Sequence, residues 1–238
     1  MVDIPSDFRR ALREQHLELE PDELERLARY LDLLYEANAT TNLTAVRDPR
    51  EAWNRHLLDS LSLLPLIRSV GARRVLDLGS GGGLPGIPLA VTMPDIEFML
   101  LEATGKKAAF LESTARELGL DNVVVLDERA ETIGEPGCVH RGGWDLVTAR
   151  AVGAMNVLLE LSIPLLVEGG VLLAIKGERA GAELEVASEA LRVLKCRVVE
   201  RRRTPTGTIV VVEKTDRTPP DYPRRPGEPK RQPIGGRG

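Results

Sequence analysis

The chain has 238 residues, enough for one large domain or a domain with an extension. Its 42% hydrophobic and 29% charged content is that of an ordinary globular protein, and no apolar run approaches the ~20 residues of a membrane-spanning helix. A net charge of −4 does not announce a binder of polyanions, and two distant cysteines, Cys138 and Cys196, without a Cys-x-x-Cys pair, argue against a structural zinc site. They read as reduced thiols, and Met1 to Asp7 lacks the basic and apolar regions of a signal peptide, so a cytoplasmic protein is expected.

The first seventy residues read as helical. Ser6 or Asp7 can cap a helix carrying Phe8, Leu12 and Leu19. After Pro21, the leucines at 24, 27, 31 and 34 recur at spacings of three and four, an amphipathic stripe. Asn38 to Asn42 interrupts it, and Asp48 can cap a helix from Pro49 with Trp53, Leu57, Leu61 and Leu64 on one face. Residues 1–70 are therefore expected to form a helical extension, followed by a ligand domain at 71–214 and a tail at 215–238.

From Arg73 the pattern changes. Val75-Leu76-Asp77-Leu78 is an apolar strand, and Gly79-Ser80-Gly81-Gly82-Gly83-Leu84-Pro85-Gly86 follows it. Pro85 suits the first turn of a helix, where its missing N–H costs nothing. A second strand, Ile96 to Leu101, ends in Glu102. Strand, glycine turn, helix, strand and acid make a βαβ unit suited to a nucleoside-like ligand. Gly81-x-Gly83-x-x-Gly86 also satisfies a dinucleotide fingerprint, which keeps an NAD(P)-dependent oxidoreductase open. The fuller pattern, Asp77-x-Gly79-x-Gly81-x-Gly83, places an acid ahead of the glycines. That acid repels a pyrophosphate and attracts a cationic ligand such as S-adenosylmethionine. A glycine turn serving packing alone is the blandest reading.

Further on, Lys106–Leu118 reads as a helix, Val123–Leu126 as a strand and Arg129–Ile133 as a short helical turn. Trp144–Ala149 is a strand and Met155–Leu161 a helix. Gly169 and Gly170 punctuate before a strand at Val171–Ile175, and Glu178–Leu194 reads as a helix. Arg197–Arg203 and Thr208–Glu213, joined through Pro205-Thr206-Gly207, predict an antiparallel hairpin. The fold class expected is α/β: a mainly parallel, doubly wound sheet of the Rossmann-like methyltransferase type, with a C-terminal antiparallel hairpin and an N-terminal helical extension. The tail holds six of the sixteen prolines and carries net +3, including Arg224, Arg225 and Arg237, so an extended or disordered arm is expected.

In such a sheet the ligand lies beyond the carboxyl ends of the strands. Asp77, Gly79, Gly81, Glu102, Ala130, Glu131 and Arg150 all fall there. Glu102 can accept both ribose hydroxyls, and Ala130-Glu131 can meet an adenine edge. Arg150 fits a carboxylate, a substrate phosphate or an ion pair with Asp77. His56 and Asp59, three apart on a helix, can position a substrate, though such a pair more often packs or caps. The arginines between 47 and 74, Arg55 among them, and the tail pair Arg224 and Arg225 are the candidate phosphate contacts, with solvated surface as the plain alternative. Only eight aromatics occur, so stacking of bases on an aromatic platform is not suggested. No nucleophile elbow, metal-ligand cluster or Walker sequence appears.

Asn42-Leu43-Thr44, Arg55-His56-Leu57-Leu58-Asp59-Ser60, Asp77-x-Gly79-x-Gly81-x-Gly83-Leu84-Pro85-Gly86-Ile87-Pro88, Lys106-Lys107-x-x-Phe110-Leu111, Ala149-Arg150-Ala151 and Lys176-Gly177 together resemble the RsmG (GidB) family of bacterial ribosomal RNA methyltransferases. The resemblance covers nearly the whole chain from about residue 24. The tail Tyr222-Pro223-Arg224-Arg225-x-Gly227-x-Pro229 also looks like the family's ending. One departure is Glu102-Ala103, where Asp-Ser is commoner; Glu keeps the ribose acceptor. The resemblance implies S-adenosylmethionine-dependent methylation of N7 of one guanine in 16S ribosomal RNA of the small subunit. It carries over Gly79, Leu84, Ala130, Glu131 and Arg150 as cofactor contacts; the reading from strand ends, spacing and charge adds Asp77, Gly81 and Glu102 to that set and puts Arg55, His56, Arg224 and Arg225 on the substrate side. No catalytic acid, base or metal is required. A noncatalytic ribosome-assembly factor on the same fold is a third reading, and a monomer is expected.

Overall fold

The computed structural model describes residues 4–236, so Arg237 of the tail and the first three residues of the N-terminal segment lie outside the described residues. Seven strands form one sheet: β1 (Arg74–Leu78), β2 (Glu97–Glu102), β3 (Val123–Asp127), β4 (Trp144–Arg150), β5 (Leu166–Lys176), β6 (Cys196–Thr204) and β7 (Gly207–Lys214). Their order is β3-β2-β1-β4-β5-β7-β6. The first five run parallel; β7 pairs antiparallel with both β5 and β6, as the hairpin reading expects. The order reverses at β1, so β1 and β4 flank a crevice at their carboxyl ends.

Alternation along the strands fills two cores. Val75, Leu100, Leu146, Leu173 and Ile209 face one side, and Leu76, Leu101, Val147, Leu172 and Val210 the other. On the first side lie the N-terminal helices α1 (Ser6–Glu14), α2 (Pro21–Asn38), α3 (Pro49–Ala52), α4 (Asp59–Leu61) and α5 (Leu64–Val70), with α6 (Gly86–Thr92) and α7 (Gly105–Glu117) after the first two strands. The second side carries α8 (Ala130–Ile133), α9 (Met155–Ser162), α10 (Ala180–Val186) and α11 (Ser188–Val193). The leucine stripe of α2 is buried, with Leu27 and Leu34 fully enclosed.

Several local expectations change. The first helix ends at Glu14 because His16 turns left-handed (φ 54°), which leaves Leu19 outside it. That helix has no side-chain cap; Asp7 instead accepts from Asn54 Nδ2 at 2.7 Å. Asp48 does cap α3, accepting from the Arg50 amide. The helix expected from Pro49 widens into a π-helical turn at Trp53–Leu58 before α4. The glycine-turn helix starts at Gly86, one residue past Pro85. β5 begins at Leu166, running through Gly169 (φ +80°) and Gly170, because a register shift against β4 needs a residue without a side chain there. The helix expected at 178–194 breaks into α10 and α11 around the buried Ala187.

The tail is the largest correction. It is a docked strap ending in α12 (Glu228–Arg231), where an extended or disordered arm is expected from composition. Prolines supply no N–H, so carbonyls along such a segment need outside donors. Arg141 provides them, donating to the carbonyls of Gly134, Thr218, Pro219 and Tyr222. Glu160, fully buried on α9, accepts from the Arg224 amide, Nε and Nη2 at 2.9, 2.8 and 2.6 Å. Glu131 accepts from the Gly227 amide, and Pro223 and Pro229 are buried.

Candidate functional site

The carboxyl ends of the strands carry two clefts, separated by the loop that leaves β4. The narrower, of about 130 Å³, lies over β1, β2 and β3 and is lined by Gly79, Leu101, Ala103, Ala130, Glu131 and Val152, among others. The wider, of about 360 Å³, lies over β4 and β5 and is lined by Asp59, Arg150, Lys176, Glu183 and Thr206, with backbone from the intervening loop.

The glycines of the turn divide by role. Gly79 and Gly81 hold φ near +68° and +57°, a region closed to most side chains. A Cβ on Gly79 would stand 3.1 Å from Val152 at the cleft wall, and one on Gly81 would meet only the Gly79 carbonyl, at an ordinary 3.8 Å. Gly82, Gly83 and Gly86 serve packing instead. A Cβ there would press on Leu34, on Ile87, or on Leu100 and Asp77. Tyr30 of α2 donates to the Gly82 carbonyl at 2.8 Å, so the N-terminal helices hold the turn from behind. The packing reading is thus right for part of the run.

The two acids differ. Asp77 is fully buried; Oδ2 accepts from the Gly86 amide at 3.1 Å and Oδ1 from the Thr148 hydroxyl at 2.8 Å. Burial pushes its pKa up to about 6 against the lowering effect of those bonds. It ties the α6 entry to β4 and offers no surface to a ligand, so the expected direct contact gives way to an internal brace. Glu102 lies between Leu101 and Ala103 of the cleft lining and is itself largely buried, accepting from the Gly81 amide (2.9 Å) on Oε2 and the Thr104 amide (2.9 Å) on Oε1. Each oxygen keeps a second lone pair for an incoming hydroxyl. Leu84 is buried in the core beneath the turn, and Ala130 and Glu131 start α8 along the cleft wall. A nucleoside-bearing cofactor fits this lining: glycine backbone on one side, a carboxylate with free lone pairs at the rim, apolar walls beyond.

On the wider side Arg150 is the hub. Its Nη1 donates to the Arg55 carbonyl at 3.0 Å, contacts His56 Nδ1 at 3.3 Å and lies 3.7 Å from Asp59 Oδ2. The expected ion pair with Asp77 is therefore replaced by one with Asp59. Arg55 contributes its carbonyl; its side chain is exposed and pairs with Glu51. Because a guanidinium only donates, His56 Nδ1 is the acceptor and Nε2 carries the proton, which goes to Thr44 Oγ1 at 2.7 Å. Burial and then the Arg150 charge hold the His56 pKa down at about 4, so the ring is neutral. Asp59 is also buried, which raises its pKa, and it accepts from Thr206 of the β6–β7 turn. Lys176 ends β5, donating to the Gly153 carbonyl and pairing with Glu183 at 2.6 Å. Ala151, a non-glycine residue at φ 57°, begins the loop between the clefts, a strained conformation of the kind that gathers at working sites.

The structure thus brings Gly79, Ala130 and Glu131 together at one cleft, with Gly81 and Glu102 joined by a hydrogen bond beside it, and places Arg150 at the other, with His56 buried behind it. Arg224 stands apart, engaged by Glu160, and Arg225 is exposed on the strap. The sequence reading names Asp59 only beside His56, as a pair that more often packs or caps, and leaves Lys176, Thr206 and Val152 out of its site set. Asp59 and Lys176 stand in the family motifs; Thr206 is written only as a turn, and Val152 gives no signal.

A model of the family described as rRNA small subunit methyltransferase G matches residues 23–206. A protein named ribosomal RNA small subunit methyltransferase G from Sorangium cellulosum is 43% identical over 222 residues, covering 93% of this chain and 92% of its own. One of the same name from Listeria welshimeri is 36% identical over 97% of this chain and 99% of its own. Among solved structures, the O-methyltransferase TomG from Streptomyces achromogenes in complex with SAM superposes with a TM-score of 0.56 at 19% identity, covering 91% of this chain and 100% of that one. An O-methyltransferase from Bacillus cereus in complex with SAH gives 0.54 at 19% identity over 79% and 91%. These structures share the fold.

Proposed function

This chain belongs to the rRNA small subunit methyltransferase G family, and on that premise we propose that it methylates N7 of one guanine in 16S ribosomal RNA, using S-adenosylmethionine. The observation that carries the reading is the pair of clefts on either side of the loop that leaves β4, one beside the glycine turn and one lined by charged side chains. Bound in the first, S-adenosylmethionine supplies a methyl group activated by a sulfonium.

The chain's residues have a limited task. Guanine N7 carries a lone pair and no proton, so no general base is required. That agrees with a neutral, hydrogen-bonded His56 and with carboxylates already engaged by amides and hydroxyls. Glu102 and the Gly79–Gly81 backbone hold the nucleoside part. The loop between the clefts and Arg150 fix the line between them, which is the alignment and exclusion of water that such a displacement needs. The family relatives give no support to an NAD(P)-dependent oxidoreductase or to a noncatalytic assembly factor.

The test is transfer of labelled methyl from S-adenosylmethionine to small-subunit RNA, offered as naked RNA, as the mature particle and as an assembly intermediate. Digestion should place the label on 7-methylguanine at a single position. Absence of label on all three, or NADH binding without S-adenosylmethionine binding, would reject the reading. Among the described residues no helix is long and apolar enough to cross a membrane. We take the protein to act as a cytoplasmic monomer, which sedimentation during turnover would check.

A further inference from the structure

Strand β6 is one of the sheet's two edges, bonded among the described residues only to β7. Its four arginines are of two kinds. Arg197 pairs with Glu213 at 2.8 Å and Arg202 with Glu200 at 2.9 Å. Arg201 and Arg203 are exposed, and among the described residues no carboxylate lies within 4.0 Å of either. Registration places this second pair. Arg203 stands opposite Thr208 of β7, which stands opposite Lys176 of β5. Opposed residues share a face of the sheet, and strands lie about 4.8 Å apart, so the Arg203 backbone is about 10 Å from that of Lys176. Lys176 lines the wider cleft. The turn joining β6 to β7 closes onto the same cleft, with Thr206 on Asp59 and Gly207 packed against the Lys176 backbone. Arg201 is two residues further along the same face, roughly 7 Å away.

The unpaired cations therefore form a short row that starts at the rim of the wider cleft and leads away from it. A row of this kind, on a rigid strand, fits an extended polyanion, and a guanidinium fork grips phosphate more specifically than an ammonium does. The strap competes less for that partner than its composition suggests, since Arg224 is bound to Glu160 and Arg217 pairs with Glu168.

We propose that Arg201 and Arg203 hold the backbone phosphates of a single-stranded stretch of the substrate RNA adjoining the nucleotide in the wider cleft. This rests on the reading of the substrate as RNA. The plain alternative is that these arginines only guard an exposed edge against pairing with another chain.

The experiment compares two double variants of the full chain that lose equal charge from the same strand: R201Q/R203Q and R197Q/R202Q. Binding of a fluorescent single-stranded RNA fragment spanning the target guanine is followed by anisotropy across a salt series. The first variant should bind roughly tenfold more weakly near 0.1 M salt, with the slope of log affinity against log salt shallower by about 1.4, or about 0.7 per lost phosphate contact. The second should stay within about twofold of wild type. S-adenosylmethionine affinity and melting temperature should be alike in all three. Equal losses in both variants, no loss in either, or no RNA binding by the wild type would overturn the proposal. So would self-association of R201Q/R203Q with RNA affinity intact, which is the edge-guard outcome. If the wild type binds RNA through these arginines yet transfers no methyl, the proposed activity fails and the phosphate contacts stand. If methyl transfer proceeds and the arginines are indifferent, the reverse holds.

Discussion

On the glycine-turn side, the cleft is built from backbone held at unusual angles, braced by Asp77 and Glu102, which accept from amides within a few residues of the turn. On the Arg150 side, the cleft is built from side chains that come from four distant stretches: Thr44 to Asp59, Arg150, Lys176 with Glu183, and Thr206. In the first arrangement the turn itself is set by local geometry, with Tyr30 of α2 holding it from behind. The second exists only when the N-terminal helices, the sheet and the β6–β7 turn are assembled together. A cofactor common to many substrates suits the first kind of site, and a substrate selected by this chain suits the second.

The largest effect should come from the strap that backs the glycine-turn side. Arg224→Ala leaves Glu160 buried without its partner, which costs about 3–5 kcal/mol. Chemical denaturation should show that loss, with Arg225→Ala near wild type. If Arg224→Ala is stable and weakened only in RNA binding, the strap is a substrate arm after all.

Asp77 sharpens the comparison through pH. Its folded pKa, about 6, lies above its ordinary value of 3.8, so the protonated form is the one that folding favours. Its contribution to stability is complete below about pH 4 and is lost as pH rises through 6. Relative to Asp77→Asn, whose amide can accept from Gly86 and donate to Thr148, the wild type should lose on the order of 2–3 kcal/mol across that window. Parallel stability profiles for the two proteins would show that the carboxylate is not desolvated as described.

Next in size is Glu102. Glu102→Ala removes charge-assisted acceptors from the Gly81 and Thr104 amides and from the ribose, worth roughly 1.5–3 kcal/mol each. S-adenosylmethionine titrations should report weaker binding, and a milder loss in Glu102→Asp. Normal affinity in the alanine variant would confine the acid to the turn itself. A smaller effect on stability belongs to Asp59→Asn, on the order of 1–2 kcal/mol: the amide still reaches Thr206, and relief of the carboxylate's desolvation offsets part of the lost pairing with Arg150. Its consequence should appear in methyl transfer to RNA, with cofactor affinity unchanged; a loss of cofactor affinity would merge the two clefts into one site.

The same contrast explains what could be read from sequence. Asp77 through Gly86 and Glu102 form one contiguous signal, because a strand, a tight turn and a helix entry constrain residue types at fixed spacing. The parallel order and the closing hairpin follow from apolar runs and short connections. The partner of Arg150 was not legible: Asp59 lies ninety-one residues upstream, and the π-helical turn that presents the Arg55 carbonyl leaves no mark in the leucine spacing. Nor was the strap. Its prolines and charges describe an unstructured arm until Arg141, Glu131 and Glu160, all far away in sequence, supply donors and acceptors to it. The glycine run was legible as a whole but not by member, since only the packing of Leu34, Ile87 and Leu100 separates Gly82, Gly83 and Gly86 from the two that face the cleft.

The most direct test of a cofactor cleft built from backbone is calorimetric titration of S-adenosylmethionine into folded wild type, Gly81→Val and Asp59→Asn. At φ +57° a β-branched side chain is strained, at the residue whose amide Glu102 accepts from. The account predicts one site per chain in the wild type and in Asp59→Asn, with affinity at least roughly a hundredfold lower, about 2.7 kcal/mol, in Gly81→Val. Equal affinity in Gly81→Val and wild type, on protein whose melting transition is intact, would contradict it.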